Sequence, residues 1–313
     1  PKAKIIGECF LCNNEALEVI ELPECRKIGD YFLDKNSDIE NVYLPQVQTI
    51  ENSFLAYNKT LKVIELPECR EIGMGFLENN TNIKNVYLPQ AQVIEDYFLR
   101  YNEAIEVIKL PECRVIGRYF LEFNKNIKSI YLPQVEIIEG RFLTYNKALE
   151  VIELPKCWKI KGRFLENNTN IKNIYLPQVE IIEEAFLRNN EALESIELPE
   201  CREIGNYFLE FNKNIKSAYL PKAEHLGFDF LRNNETLDII ELPNARRIYE
   251  GFLESNKNIK NIYLPECLIL PSNLETISQI QSAEKKDTNK NKCKKLTLNL
   301  LRKKIQIKTS AKH

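Results

Sequence analysis

Six tyrosines recur 44 residues apart: Tyr43, Tyr87, Tyr131, Tyr175, Tyr219 and Tyr263. Midway between them the same slot carries Glu21, Glu65, Lys109, Glu153, Glu197 and Glu241. The chemistry offered is recognition rather than bond making. Tyrosines in a row supply rigid contact area with a hydroxyl handle, and the charged residues between them fix polarity at regular intervals. Reagents for catalysis are scarce. His225 and His313 are the only histidines, and no H-E-x-x-H, G-x-S-x-G or phosphate-cradling glycine loop occurs. The chain reads as non-enzymatic, with no cofactor and no catalytic or metal-ligand set.

Trp158 is the only tryptophan, in a slot that holds Arg26, Arg70, Arg114, Arg202 and Arg246 elsewhere. It joins Tyr43, Tyr87, Tyr131, Tyr175, Tyr219, Tyr263, Glu65, Lys109, Glu153 and Glu197 as the candidate partner-binding set. A blander account competes: alternating Tyr with Glu keeps like charges from stacking, and Tyr is a good strand former. A neighbouring column, Glu106, Lys128, Glu150, Lys172, Glu194 and Lys216, alternates in sign and reads as cross-strand pairing that fixes register.

What must position these residues is a repeat. The leading apolar residue of each unit recurs every 22 residues from Leu17 to Ile259 without insertion or deletion. A fixed period in this range means one unit stacked on itself as a solenoid. The unit reads L-x-x-[IV]-x-L-P-x-[CVA]-x-x-I-x-x-x-F-L-x-x-N. Its opening is a short strand with alternate residues inward, and the proline, lacking an N–H, ends the ladder. The return path is too short for a long helix, so a brief extended stretch and one helical or 3₁₀ turn near the Phe-Leu pair are expected. The expected fold class is therefore α/β: a right-handed leucine-rich-repeat solenoid with a parallel concave β-sheet and short helical/3-10 or extended convex segments. An inward asparagine closes each coil, as at Asn58, Asn80 and Asn124, and its amide is expected to tie loop backbones together.

Cys25, Cys69, Cys113, Cys157, Cys201 and Cys267 share one inward slot with Val47, Ala91 and Val135. Alternate coils lie about 9.6 Å apart at strand spacing, beyond the roughly 7 Å that a disulfide spans between Cα atoms. These thiols are expected to be small buried hydrophobes. Cys9-Phe10-Leu11-Cys12 is a lone C-x-x-C with no second pair. The four N-x-[ST] triplets, at Asn58, Asn79, Asn167 and Asn234, read as accidents of an Asn-rich repeat.

The composition, 44% hydrophobic with a net charge of −2, includes no apolar run long enough to span a membrane as a helix. From Ser272 onward there are eleven Lys/Arg against three Asp/Glu, so the repeats themselves are acidic. The expected organisation is 1–271 solenoid, beginning mid-repeat, then 272–284 cap or linker, then 285–313 basic, disordered tail. The start at Pro1 suits either missing upstream coils and a signal peptide, hence a secreted or surface location, or a trimmed initiator Met and a cytoplasmic one.

A strand followed by proline, as in Ile64-Glu65-Leu66-Pro67, then Ile72-Gly73 and Phe76, resembles the BspA-like (Treponema-type) leucine-rich repeats over residues 1–270. The units are one residue shorter than the usual length of about 23, Phe-Leu stands where Ala-Phe is usual, and Asn where Cys is common. The resemblance implies a binding role, frequently adhesion or host contact, and no reaction. Two readings follow. One is a monomeric interaction module that binds a protein, or alternatively a glycan, on the Tyr/Glu face. The other is a structural spacer without a ligand on its repeats, or an intracellular protein whose basic tail meets nucleic acid or an anionic membrane.

Overall fold

A computed structural model of the chain describes residues 2–265 and the strand Cys293–Lys295. The proposed cap at 272–284, Cys267 and all of the basic tail except that strand lie outside the described residues. Two compact units are present, 1–175 and 176–313.

Every regular coil contributes two strands. The first has three residues, as in Val19–Glu21. A Leu-Pro corner follows, then a two-residue strand, as in Lys27–Ile28. Because units share one length, residue i pairs with i+22 in parallel: Ile20 faces Val42 and Ile28 faces Ile50. Inward residues therefore stack as columns. The phenylalanines show this best: Phe76, Phe98 and Phe120 are fully buried, with ring centroids 5.3 Å apart at each step.

In the first unit the two-residue strands form an unbroken ladder from Ile5–Ile6 to Lys159–Ile160. The three-residue strands do not. Val19–Glu21, Asn41–Tyr43 and Val63–Glu65 form one group, Asn85–Tyr87 and Val107–Lys109 a second, and Ser129–Tyr131, Val151–Glu153 and Asn173–Tyr175 a third. In the second unit Ser195–Glu197, Ser217–Tyr219, Ile239–Glu241 and Asn261–Pro265 run in parallel, and Cys293–Lys295 adds to the last of them antiparallel.

The α/β expectation is overturned. Among the described residues there are strands and turns but no helix, α or 3₁₀; the fold is a parallel β-solenoid. The reason lies in the arc through the Phe-Leu pair. Alternate residues there adopt left-handed backbone, as at Tyr31, Leu33 and Lys35 with φ of 55°, 54° and 56°. The alternation sends the N–H groups of these left-handed residues in turn to opposite sides of the coil. Tyr31 donates to the Asn52 carbonyl at 2.8 Å, Leu33 to Phe10 at 3.1 Å, and Lys35 to Ala56 at 2.9 Å. A helical turn would use those donors inside the coil; this arc uses them between coils. Each left-handed non-glycine residue costs on the order of 1–3 kcal/mol, offset by satisfied backbone groups that would otherwise be buried unpaired. Sequence traces of the device exist: Gly75 and Gly251 have positive φ, as do Asn79, Asn167 and Asn233, residue types that tolerate this region.

The asparagine column ties coils as expected through its donors. Asn124 Nδ2 donates to the carbonyls of Leu99 at 2.9 Å and Leu121 at 2.8 Å. The acceptor half is less used: Asn58 Oδ1 accepts from Leu61 N–H at 2.8 Å, whereas Oδ1 of Asn80, Asn102 and Asn124 is buried without a hydrogen bond.

Candidate interaction face

The short strands leave one residue in two pointing outward, and this sets the tyrosine row. Tyr87, Tyr131, Tyr175 and Tyr219 are 50–59% exposed, and Tyr43 and Tyr263 are half-buried. Register places Tyr43 beside Glu65, Lys109 beside Tyr87, and Glu153 between Tyr131 and Tyr175. In the second unit Glu197 pairs with Tyr219, and Glu241 with Tyr219 and Tyr263. Val19, Val63 and Val107, two residues earlier on their strands, are exposed as well. Trp158 is exposed but immediately precedes the two-residue strand Lys159–Ile160. It belongs to the other ladder's flank, away from the tyrosine strands.

The alternating charged column forms ion pairs between adjacent coils. Lys62 reaches Glu40 at 2.7 Å, Lys172 reaches Glu150 at 2.9 Å and Lys216 reaches Glu194 at 2.7 Å. The Lys172 hydrogen bond holds the Glu150 carboxyl below its ordinary value. All are exposed, so each adds only tenths of a kcal/mol or so; their effect is on register.

Between the strands Val107–Lys109 and Ser129–Tyr131 the ladder opens. In neighbouring coils the leucine after the strand donates to the next strand, as Leu88 does to Lys109 O at 3.1 Å and Leu132 to Glu153 O at 3.2 Å. Among the described residues Leu110 N–H has no such partner. A cleft of about 440 Å³ lies here, reaching Tyr87 on one side and Tyr131 on the other.

The sequence reading missed a second cluster, on the left-handed arc. Tyr97 stacks on Tyr119 with centroids 4.8 Å apart, and Phe123 stacks between Tyr101 at 4.8 Å and Tyr145 at 4.6 Å. Between these stacks the buried Glu122 accepts from Arg100 Nε at 2.8 Å and Thr144 Oγ1 at 2.7 Å. Glu78 lies 3.7 Å from Arg100, yet burial still pushes its carboxyl above the ordinary value. The signal was legible as Arg100 and Glu122 standing 22 residues apart beside aromatic residues of the same spacing. Its charges satisfy one another, so this cluster holds the arc together.

Cys25, Cys69, Cys113, Cys157 and Cys201 are free and fully buried. Burial pushes the Cys69, Cys113, Cys157 and Cys201 thiols up to about 12. They pack as small apolar groups. Cys9 and Cys12 are joined as a disulfide with Cα atoms 5.2 Å apart. No group of three His, Cys, Asp or Glu side chains able to hold a metal ion occurs among the described residues.

Stacked coils with a strand, a Leu-Pro corner and an asparagine column define a leucine-rich-repeat solenoid with an exposed, regularly decorated strand face. More particularly, the chain belongs to the BspA type leucine rich repeat family, whose pattern matches residues 1–106, 114–235 and 180–296. A leucine-rich repeat protein from Bacteroides ovatus has a similar fold, with a TM-score of 0.64 at 20% identity over 88% of this chain and 81% of that one. A leucine rich cell surface protein from Faecalibacterium prausnitzii matches at 14% identity with a TM-score of 0.36, covering 90% of this chain and 86% of that one. The pneumococcal vaccine antigen PcpA matches at 17% identity with a TM-score of 0.36, covering 80% of this chain and 57% of that one. No curated protein sequence matches the chain.

Proposed function

We propose that the protein is a non-catalytic interaction module that binds a protein partner through the Tyr/Glu row of its three-residue strands. Membership of a leucine-rich-repeat family supports an interaction role. The observation that carries the choice of face is the row itself, with four tyrosines at least half exposed and held in register with charged neighbours. Exposed aromatics at fixed spacing are typical of contact hot spots. Trp158 is a separate candidate contact on a different flank.

The test is comparative capture. Wild-type protein and the Tyr131→Ser/Tyr175→Ser variant are immobilised and bound proteins are quantified by mass spectrometry, followed by direct binding of the purified partner. The double variant is expected to lose the partner while thermal unfolding shifts little, since surface substitutions stay within about 0.5 kcal/mol each. An unchanged capture profile would remove the row as the binding surface.

A further inference from the structure

We infer that the cleft between Val107–Lys109 and Ser129–Tyr131 is a pocket for an acidic side chain of an extended peptide, with Lys109 pairing its carboxylate. The inference rests on the binding face proposed above and names what that face recognises.

Four observations converge on the cleft. First, it has volume: about 440 Å³, lined by Tyr87, Tyr131, Val107, Ile108 and Pro111. Within the paired groups of this unit the inward strand residue is buried, as at Ile130 and Ile152, whereas Ile108 at the opening is half-buried, as are Ile64 and Ile174 at the ends of their groups. Second, its charge is distinctive. Lys109 is the sole cation in a slot otherwise held by Glu21, Glu65, Glu153, Glu197 and Glu241, and it makes no ion pair among the described residues. Third, the acid at the rim is already neutralised. The regular pairing sends a lysine back to the glutamate of the preceding coil, as Lys172 does to Glu150. At the opening, Glu106 instead pairs with Lys84 at 3.2 Å, on the side away from the cleft, so Lys128 makes no ion pair either. Fourth, main-chain groups stand ready: the Leu110 and Ser129 amides lack backbone partners among the described residues.

An exposed ammonium without an ion-pair partner, beside two tyrosines, favours an anion, and the apolar lining of Val107, Ile108 and Pro111 favours the methylenes and apolar neighbours of a peptide. The Leu110 and Ser129 amides line the cleft and offer donors to the carbonyls of an extended peptide. The repeats' net acidity does not oppose this, because charges more than about 10 Å away are screened at moderate salt.

The experiment uses the full chain and three heptapeptide libraries with a fixed central Glu, Gln or Lys and mixed flanking residues, with 3′-sialyllactose as an anionic glycan. Binding is read by biolayer interferometry on wild type, Lys109→Glu, and Tyr87→Ser/Tyr131→Ser. The Glu library is expected to bind wild type about tenfold more tightly than the Gln library, to lose that advantage on Lys109→Glu, and to yield there to the Lys library. Equal binding of Glu and Gln libraries, no binding of any library to wild type, or preference for sialyllactose each overturns the inference. Should the tyrosine variant lose partner capture while Lys109→Glu keeps its Glu preference, the binding face stands and the acidic pocket falls. If neither variant alters capture, both fall.

Discussion

The two strand ladders of the first unit are built from the same coils, yet one is continuous and the other is interrupted. The two-residue strands pair without a gap from Ile5–Ile6 to Lys159–Ile160, whereas the three-residue strands part after Val63–Glu65 and again after Val107–Lys109. Ile64 and Ile108, the inward residues at the partings, are correspondingly half-buried. The difference shows where coil spacing is fixed. Small inward residues, the stacked phenylalanines and the left-handed arc hold the coils on the continuous side. The strand face retains slack, and that face displays the tyrosines. The two partings also differ from each other: Glu65 stands at the first and Lys109 at the second, where the cleft forms.

The sharpest way to break this comparison is to truncate one apolar residue on each side. Phe120, fully buried between stacked rings, is expected to cost about 3–5 kcal/mol on Phe120→Ala. Ile108→Ala at the parting is expected to cost about 1 kcal/mol, because a half-buried residue gives up less apolar contact. Urea denaturation measures both, and similar losses would mean that the two sides hold the coils equally.

Thiol chemistry probes the tight side. With Cys113 pushed from 9.0 to about 12, its thiolate at pH 8 is about a thousandfold scarcer than that of a free cysteine. Iodoacetamide followed by mass spectrometry should find Cys69, Cys113, Cys157 and Cys201 unlabelled in native protein and labelled in urea. Prompt native labelling would show that this side opens.

Hydrogen exchange sharpens the comparison at single amides. Leu110 and Ser129, at the parting, are expected to exchange at least about tenfold faster than Leu88 and Val151, which donate to neighbouring coils at 3.1 and 3.2 Å. Equal protection would close the cleft in solution.

The smallest effect concerns Glu78 on the arc. Burial raises its folded-state carboxyl above 4.5, against the opposing pull of Arg100. The native state therefore holds this proton more tightly than the unfolded chain, so its contribution to stability falls as pH rises from about 4.5 through the raised value. Glu78→Gln should remove that decline and gain slightly on wild type near neutrality. Thermal melts from pH 4 to 7 read the difference, and a wild type that gains on the variant as pH rises would reverse the sign.

Much of the architecture was readable in the residues. A 22-residue period with no insertion forces equivalent residues into adjacent coils, so the Tyr/Glu pairing of Tyr131 with Glu153 and the burial of Cys113, Phe120 and Asn124 follow from position alone. The conformation of the Phe-Leu arc did not follow. Leucine at Leu33 or Leu99 carries no local preference for left-handed backbone, and a helical turn fits the same count of residues. Asn79 and Gly75 hinted at the arc, but the hydrogen bonds that select it run between coils.

The sequence by itself determined the columns: which residue types repeat, which face they share and what chemistry each row offers, because in-register stacking converts spacing along the chain into adjacency in space. Only the tertiary structure decided the helix-free arc, the parting of the strand face beside Lys109 and the turning of Glu106 toward Lys84. Each of these is a choice between local arrangements of similar energy, and it is made by hydrogen bonds and ion pairs to the coils above and below.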